Sequence, residues 1–190
     1  MMTFIGEYTA KTDDKGRIVF PSAFKSVLPA EGDMRFVLKK DIFEDCLEMY
    51  TYEEWERQSM EVKSKLNMFN REHAAFWREY MRDRAVVEPD GKIGRLSIPK
   101  KLLESIGVTK EVVFSGNDYK IEIWAKEKFE ASRISNDQYI ALAEKISHSS
   151  KTGAIRISYT GAFGRERFSL NHQSFRNIHR CHIRRRWTYR

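Results

Sequence analysis

The residues in this chain that are best suited to chemistry are an arginine and the acids that precede it. The stretch DDKGRIVFPSAF places Asp13 four residues before Arg17, at the start of an apolar, strand-like run. If Ile18 and Phe20 point into a core, the alternation of a β-strand turns Arg17 away from it. Arg17 would then be exposed, and Asp13 would lie near enough to orient its guanidinium for a bidentate contact with phosphate or guanine.

Two interpretations of this stretch remain open from the residues alone. In the first it is a β-turn with solvated charges, which accounts for the aspartates and for Gly16. In the second, Lys15 and Arg17 form a contact site for nucleic acid, which also accounts for two cations at the mouth of one strand.

The motif occurs twice in the chain. GRIVFP (16–21) returns as GRLSIP (94–99), and a short helical pattern follows the proline each time. CLEMYTYEEW (46–55) returns as KIEIWAKEKF (120–129), a strand of period two that leads into a charged helix start. Two copies of strand, turn, strand, short helix, two strands and helix are therefore predicted. Copies this short would fold poorly alone, so we expect them to complete one shared barrel.

Helical patterns occupy the segments after each copy. Residues 53–85 predict two helices broken near 67–70, and residues 125–147 predict a similar pair broken near 135–136. Six apolar residues of the first pair are expected to pack onto the barrel or against another subunit: Trp55, Met60, Leu66, Phe76, Tyr80 and Met81.

Charge is distributed unevenly along the 190 residues, whose formal net charge is +7. Residues 151–190 hold ten of the 34 Lys and Arg but one of the 27 Asp and Glu, so the remaining body is slightly acidic. DNA binding by the body must therefore depend on locally clustered cations. No apolar run has the length of a membrane span, no signal peptide is evident, and two distant cysteines indicate a reducing cytoplasm.

No catalytic or metal-binding pattern emerges, so we predict no enzyme activity and no cofactor. His73 lies apart from any nucleophile, and no phosphate-binding glycine motif is present. His179, Cys181 and His182 could ligate a metal, but their spacing matches no standard zinc pattern.

The motif D-x-K-G-R-h-x-h-P, its second copy and the two-copy layout of residues 1–148 resemble the MraZ family of bacterial transcriptional regulators. The resemblance implies an α+β fold in which two SpoVT-AbrB-like halves form a swapped-hairpin β-barrel with flanking helix pairs. We accordingly divide the chain into a first repeat (6–52), a helical connector (53–85), a second repeat (86–129), a C-terminal helix (130–148) and a basic tail (149–190), which its composition predicts to be disordered.

The resemblance also implies a function. The family binds double-stranded DNA at direct repeats upstream of the division and cell-wall gene cluster, as a homo-oligomeric ring, which places the chain in the cytoplasm at the nucleoid. Neither a membrane nor a small-molecule partner is expected. The residues that match the family's DNA-contacting positions are Asp13, Lys15, Gly16 and Arg17 in the first half and Lys92, Gly94 and Arg95 in the second.

The second half departs from the family pattern. The position of the aspartate falls on Gly91, and Asp90 lies one residue early, so Asp90 reaches Arg95 only if the turn bulges. Lys100 and Lys101 follow directly and either supplement phosphate contact or form a solvated helix face.

Two other functions stay open: an RNA-binding module and an antitoxin of the same fold, the latter disfavoured because the tail is basic. For the tail itself, a nucleic-acid arm competes with translation out of frame. With permissible codons, the shifted frame of YTGAFGRERF reads IPVLLEESV, which is similar to the start of the ribosomal-RNA methyltransferase usually encoded next in this cluster. The nucleotide sequence would show whether the shifted reading frame is open across the tail, and would thereby decide between these two explanations.

Overall fold

Strands and helices follow one another in the same order twice. The computed structural model describes residues 2–29, 32–91 and 94–149, with side chains up to residue 147. The first copy consists of β1 (Phe4–Lys11), β2 (Arg17–Val19), α1 (Ser22–Lys25), β3 (Phe36–Lys40), β4 (Cys46–Thr51), α2 (Tyr52–Ser64) and α3 (Arg71–Tyr80). The second consists of β5 (Ala85–Val87), β6 (Arg95–Ser97), α4 (Lys100–Ser105), β7 (Glu111–Asp118), β8 (Lys120–Ala125), α5 (Lys126–Ala131) and α6 (Asn136–Ser149).

Each copy pairs its first strand with the other copy. The large sheet has the order β1-β7-β8-β4-β3-β5, and all its neighbours are antiparallel. Thus β1 of the first copy pairs with β7 of the second, and β5 of the second pairs with β3 of the first. The remaining strands, β2 and β6, pair with each other as a two-stranded ribbon. Neither copy holds a complete sheet of its own, as their shortness predicted.

The fold is α+β with two repeats, as predicted from the sequence. The predicted closed barrel is not observed, because the six-stranded sheet of the described residues ends at β1 and β5 without hydrogen bonds that join them. The sheet and the ribbon both belong to one compact unit, residues 1–138.

The core lies beneath the ribbon and against one face of the large sheet. Ile18 and Leu96, the middle residues of the two ribbon strands, are fully buried in it with Phe24 and Phe114. Burying a side chain of this size stabilises the fold by about 1.5–3 kcal/mol. The inner face of the ribbon is thereby fixed, and so is the face that points outward.

The helix ends follow from local capping. Thr51 Oγ1 accepts a hydrogen bond from the Glu54 N–H at 3.3 Å, which starts α2 as the capping pattern predicts. Ser135 and Gln138 cap each other reciprocally through their side chains and N–H groups. This second box explains why α6 begins at Asn136, at the break predicted near 135–136, and not at residue 130, where the predicted C-terminal segment began. The predicted break between α2 and α3 is confirmed.

The predicted packing of the apolar helix residues is only partly confirmed. Trp55 is buried and Tyr80 stacks on it, with 5.8 Å between the ring centroids. Met60, Phe76 and Met81 are instead exposed, so the sheet does not cover them, and their packing against another subunit stays a prediction. In the described ranges, no helix has both the length and the apolar character needed to cross a membrane.

Candidate nucleic-acid interface

The first turn (Asp13–Arg17) is closed by two backbone hydrogen bonds. The Asp13 N–H donates to the Arg17 carbonyl oxygen at 3.0 Å, and the Gly16 N–H donates to the Asp13 carbonyl oxygen at 2.9 Å. Gly16 has a φ of +75°, a conformation that glycine adopts without steric penalty. The chain therefore leaves the turn with Arg17 as the first residue of β2.

The Asp13 carboxylate holds both this turn and the Arg17 side chain. Its Oδ1 accepts from the N–H groups of Lys15 and Arg17, each at 2.9 Å, and its Oδ2 accepts from Arg17 Nε at 2.7 Å. The bond from the Arg17 backbone N–H is the main cause that lowers the pKa of Asp13 below its usual 3.8. Asp13 is therefore ionised at neutral pH and orients the guanidinium from one edge.

Arg17 points outward, as the strand alternation predicted. Ile18 is 1% exposed, whereas Val19 is 50% exposed and the Arg17 side chain 39%. Among the residues that the structure describes, Asp13 is the one carboxylate paired with Arg17, and it uses Nε. The opposite edge of the guanidinium carries Nη1 and Nη2, which suit a bidentate contact with phosphate or guanine.

The second turn (Asp90–Arg95) has the same frame with one more residue. The Asp90 N–H donates to the Arg95 carbonyl oxygen at 2.9 Å, and the Gly94 N–H donates to the Asp90 carbonyl oxygen at 3.0 Å. Asp90 Oδ1 accepts from the Arg95 N–H at 3.1 Å, and Gly94 has a φ of +70°. Asp90 thus takes the place that Asp13 has in the first turn, and the longer loop absorbs the shift seen in the sequence. Lys92 lies outside the described residues.

The ribbon brings the two turns together on one surface. Its register pairs Arg17 with Ser97, Ile18 with Leu96, and Val19 with Arg95. Because directly paired residues share a face, Arg17 and Arg95 project from the same outer face. They occupy diagonal positions, for which Cα atoms lie about 7–8 Å apart. The sequence predicted one arginine turn in each copy, and the structure places both arginines on one face of a single chain.

Each turn packs against the short helix of the other copy. A Cβ added at Gly16 would lie 3.5 Å from Leu103 Cδ1, and one added at Gly94 would lie 3.9 Å from Lys25 Nζ. Leu103 and Lys25 both stand eight residues after the arginine of their own copy. Sequence reasoning missed Lys25, and aligning the copies beyond the proline would have shown that a cation replaces an apolar residue there.

The other predicted cations differ in their surroundings. Lys15 is exposed at the tip of the first turn. Lys100 lines a shallow cleft with Asp13 and Gly16, while Lys101 is paired with Asp83 at 2.5 Å. Lys15 therefore lies within the first turn and Lys100 beside it, whereas Lys101 is engaged elsewhere.

Comparison with known proteins gives consistent matches over the same residues. The family model described as "MraZ protein, putative antitoxin-like" matches residues 3–79 and 83–148. The basic tail lies beyond the second matched segment.

Three similar proteins share the same name. A protein of Bacteroides thetaiotaomicron named transcriptional regulator MraZ is 37% identical over 146 residues, which cover 77% of this chain and 93% of the relative. Proteins with the same name from Christiangramia forsetii and Clostridium acetobutylicum are 39% and 38% identical over 147 and 144 residues. These alignments cover 77% and 76% of this chain, and 94% and 96% of the two relatives.

Proposed function

The chain belongs to the MraZ family, and we propose that it is a transcriptional regulator that binds double-stranded DNA through the outer face of its two-stranded ribbon. The observation that carries the proposal is the placement of Arg17 and Arg95 on one exposed face, each at the mouth of a turn that contains an aspartate. A regulator of this kind acts by binding and needs no catalytic group.

The geometry of the ribbon suits the major groove of B-DNA. That groove admits a two-stranded β-ribbon, and the commonest specific contact in it is an arginine that bonds O6 and N7 of a guanine. Arg17 and Arg95 supply two guanidiniums for such contacts. Lys15, Lys25 and Lys100 lie beside the turns and supply charge for the phosphates on either side.

One chain offers few contacts with DNA, so the affinity must come from several chains that bind together. The body outside the tail is slightly acidic, and a protein with few phosphate contacts binds DNA weakly at physiological salt. We therefore extend the proposal to a homo-oligomeric ring of the kind the family resemblance implies, in which several ribbons engage spaced direct repeats. Linked binding of this type raises the overall affinity without any new contact.

The same resemblance supplies the finer parts of the proposal. The target is DNA upstream of the chain's own gene in the division and cell-wall cluster, and the protein works in the cytoplasm at the nucleoid. The exchange of first strands between the copies supports the swapped-hairpin arrangement that the resemblance implies.

The experiment is a gel-shift titration of that upstream DNA with the full chain and Arg17→Ala. We expect a loss of at least about a hundredfold, since each bidentate base contact contributes about 1–3 kcal/mol and the ring repeats it. Arg35→Ala is the matched control, because Arg35 is also held by a nearby aspartate, Asp33, but lies off the ribbon. Size-exclusion chromatography checks that both variants keep the assembly.

Retained binding by the Arg17→Ala variant at physiological salt would contradict the proposed site. Because the matched family description also says antitoxin-like, the same purified chain should be offered duplex DNA, RNA and cell protein in parallel. Selective capture of RNA or of one protein, with no retention of duplex DNA, would favour those alternatives instead.

A further inference from the structure

Two positions on the outer face of the ribbon differ between the copies. Val19 and Ser97 each stand two residues after the arginine of their copy, and both are exposed. Val19 lies directly opposite Arg95, and Ser97 lies directly opposite Arg17. The outer face therefore carries two arginines on one diagonal, with one apolar and one hydroxyl side chain on the other.

The ribbon has an approximate twofold axis between Ile18 and Leu96, since each copy supplies one antiparallel strand. A twofold protein surface reads a palindromic DNA sequence when its two halves carry the same side chains. The axis relates Arg17 to Arg95, which are identical. It also relates Val19 to Ser97, which differ. The two side chains also have different partners in the major groove: methyl groups contact the C5-methyl of thymine, and a hydroxyl bonds polar base edges.

We propose that Val19 and Ser97 determine the sequence and the direction of the DNA box that one ribbon reads. Val19, beside Arg95, selects a thymine methyl, whereas Ser97, beside Arg17, selects a polar base edge. The box is therefore non-palindromic, and the chain binds it in one orientation. This inference rests on the proposed DNA-binding function and assigns base specificity within that site.

The dimensions of the ribbon agree with a short box. The diagonal from Arg17 to Arg95 spans about 7–8 Å, and successive bases are stacked about 3.4 Å apart. The two arginines are thus separated by about two base-pair steps, and Val19 and Ser97 face the bases around and between them. Each ribbon then reads about three or four base pairs, which agrees with the need for several ribbons per operator.

The first test is selection of bound duplexes from a random DNA library, using the full chain and three variants: Val19→Ser, Ser97→Val and the double exchange. The wild-type chain should select a non-palindromic box. Each single variant gives the ribbon two identical halves at these positions and should select a box that is symmetric there. The double exchange should swap the two base preferences.

Val86→Ser is the matched control, because Val86 is also a valine exposed on a strand but lies in β5, off the ribbon. It should select the wild-type box. Thermal unfolding of every variant confirms that the exposed substitutions leave the fold intact.

The second test replaces the selected thymine with deoxyuridine, which lacks the methyl group. Wild-type affinity should fall about fourfold, the factor that corresponds to burying one methyl group, and the Val19→Ser affinity should not change.

The outcomes separate the two proposals. Identical base preferences for the wild type and all three variants, while Arg17→Ala loses enrichment, would overturn the assignment of Val19 and Ser97 and leave DNA binding standing. A wild-type chain that enriches no duplex at all would overturn DNA binding itself, and this inference with it.

Discussion

The two arginine turns share one hydrogen-bonded frame but differ in what surrounds it. In both, an aspartate accepts from the N–H of the arginine, and a glycine of positive φ precedes it. The first turn packs closely on the backbone of Ile98 and on Leu103, whereas the second has the Lys25 side chain beside it. The repeat therefore preserves the direction of the arginine, while the contacts that surround each turn differ.

The difference in length shows how the frame tolerates insertion. The glycine N–H bonds the aspartate carbonyl three residues back in the first turn and four residues back in the second. A β-turn has thus become an α-turn without a change in the residues that enter the ribbon. The first turn is consequently the tighter of the two.

The largest difference should appear in stability when each glycine is replaced by alanine. At Gly16 the new Cβ would lie 2.7 Å from the Ile98 carbonyl oxygen and would also suffer the positive φ. We expect Gly16→Ala to lower the free energy of unfolding by about 2–5 kcal/mol, the sum of backbone strain and overpacking. Gly94→Ala introduces backbone strain without overpacking and should lower the free energy of unfolding by about 1–2 kcal/mol. Urea unfolding at equal protein concentration measures both, and equal losses would show that the turns are packed alike.

The next effect concerns the arginines themselves. Arg17→Lys keeps the charge but loses the planar donor pair, so affinity for the selected box should fall about tenfold while binding to random DNA is kept. Arg95→Lys should cost less, since Lys25 already adds a cation at that turn. Competition titrations with box and random duplexes report the two affinities. A larger loss of affinity for Arg95→Lys than for Arg17→Lys would contradict this expectation.

A smaller effect is expected at Asp13. Asp13→Asn removes the ionic acceptor of Arg17 Nε and should lower DNA affinity about twofold to fivefold, the range typical of exposed ion pairs. Fluorescence anisotropy with a labelled box resolves this change, and an unchanged affinity for Asp13→Asn would show that the carboxylate does not orient Arg17 for binding.

The same carboxylate predicts a pH dependence. The pKa of Asp13 is lowered in the folded chain, chiefly by the Arg17 backbone N–H, so its contribution is present above the unfolded value and is lost as the pH falls through the lower folded value. Binding should therefore show no step from Asp13 between about pH 5 and 8, and should weaken only at a pH below 3.8, the usual pKa of an aspartate. A titration step near neutral pH that Asp13→Asn abolishes would contradict this assignment.

The smallest effect should follow removal of the basic tail. A chain that ends at Ser147 loses a strongly cationic segment but keeps both turns, so specific affinity at about 200 mM salt should change less than about twofold. Non-specific binding at low salt should weaken more. The ratio between the Arg17→Lys and Arg95→Lys losses should stay the same in the shortened chain. A tail-dependent ratio would show that the tail contacts DNA near one turn.

Much of the fold could be predicted because its signals are local. The repeat of GRxxxP, the alternation around Ile18 and the capping pattern at Thr51 each predict structure that the chain shows. Pairing between the copies could not be predicted in the same way. Nothing in the sequence of β2 specifies that β6 is its partner or sets the register, since both depend on packing over the shared core.

The candidate site was predictable to a similar degree. The direction of Arg17 and the nearness of Asp13 follow from strand alternation and turn geometry, and the structure confirms both. The place of Asp90 was uncertain from the alignment because backbone hydrogen bonds can absorb an extra residue. Lys25 was missed because it acts on the other copy's turn, a contact that only the exchange of strands creates. The DNA-contacting roles of all these residues stay predictions.

The exchanged first strand also governs how this protein is made. In β1, Phe4 pairs with Asp118, so the strand finds its partner only after more than a hundred further residues have been synthesised. At ribosomal rates of about 5–20 residues per second, that delay is about 5–20 s. Until then β1 is an unpaired edge on a nascent chain, and β2 also waits for β6. A polypeptide that has not yet been made as far as β6 (Arg95–Ser97) therefore cannot present the arginine pair.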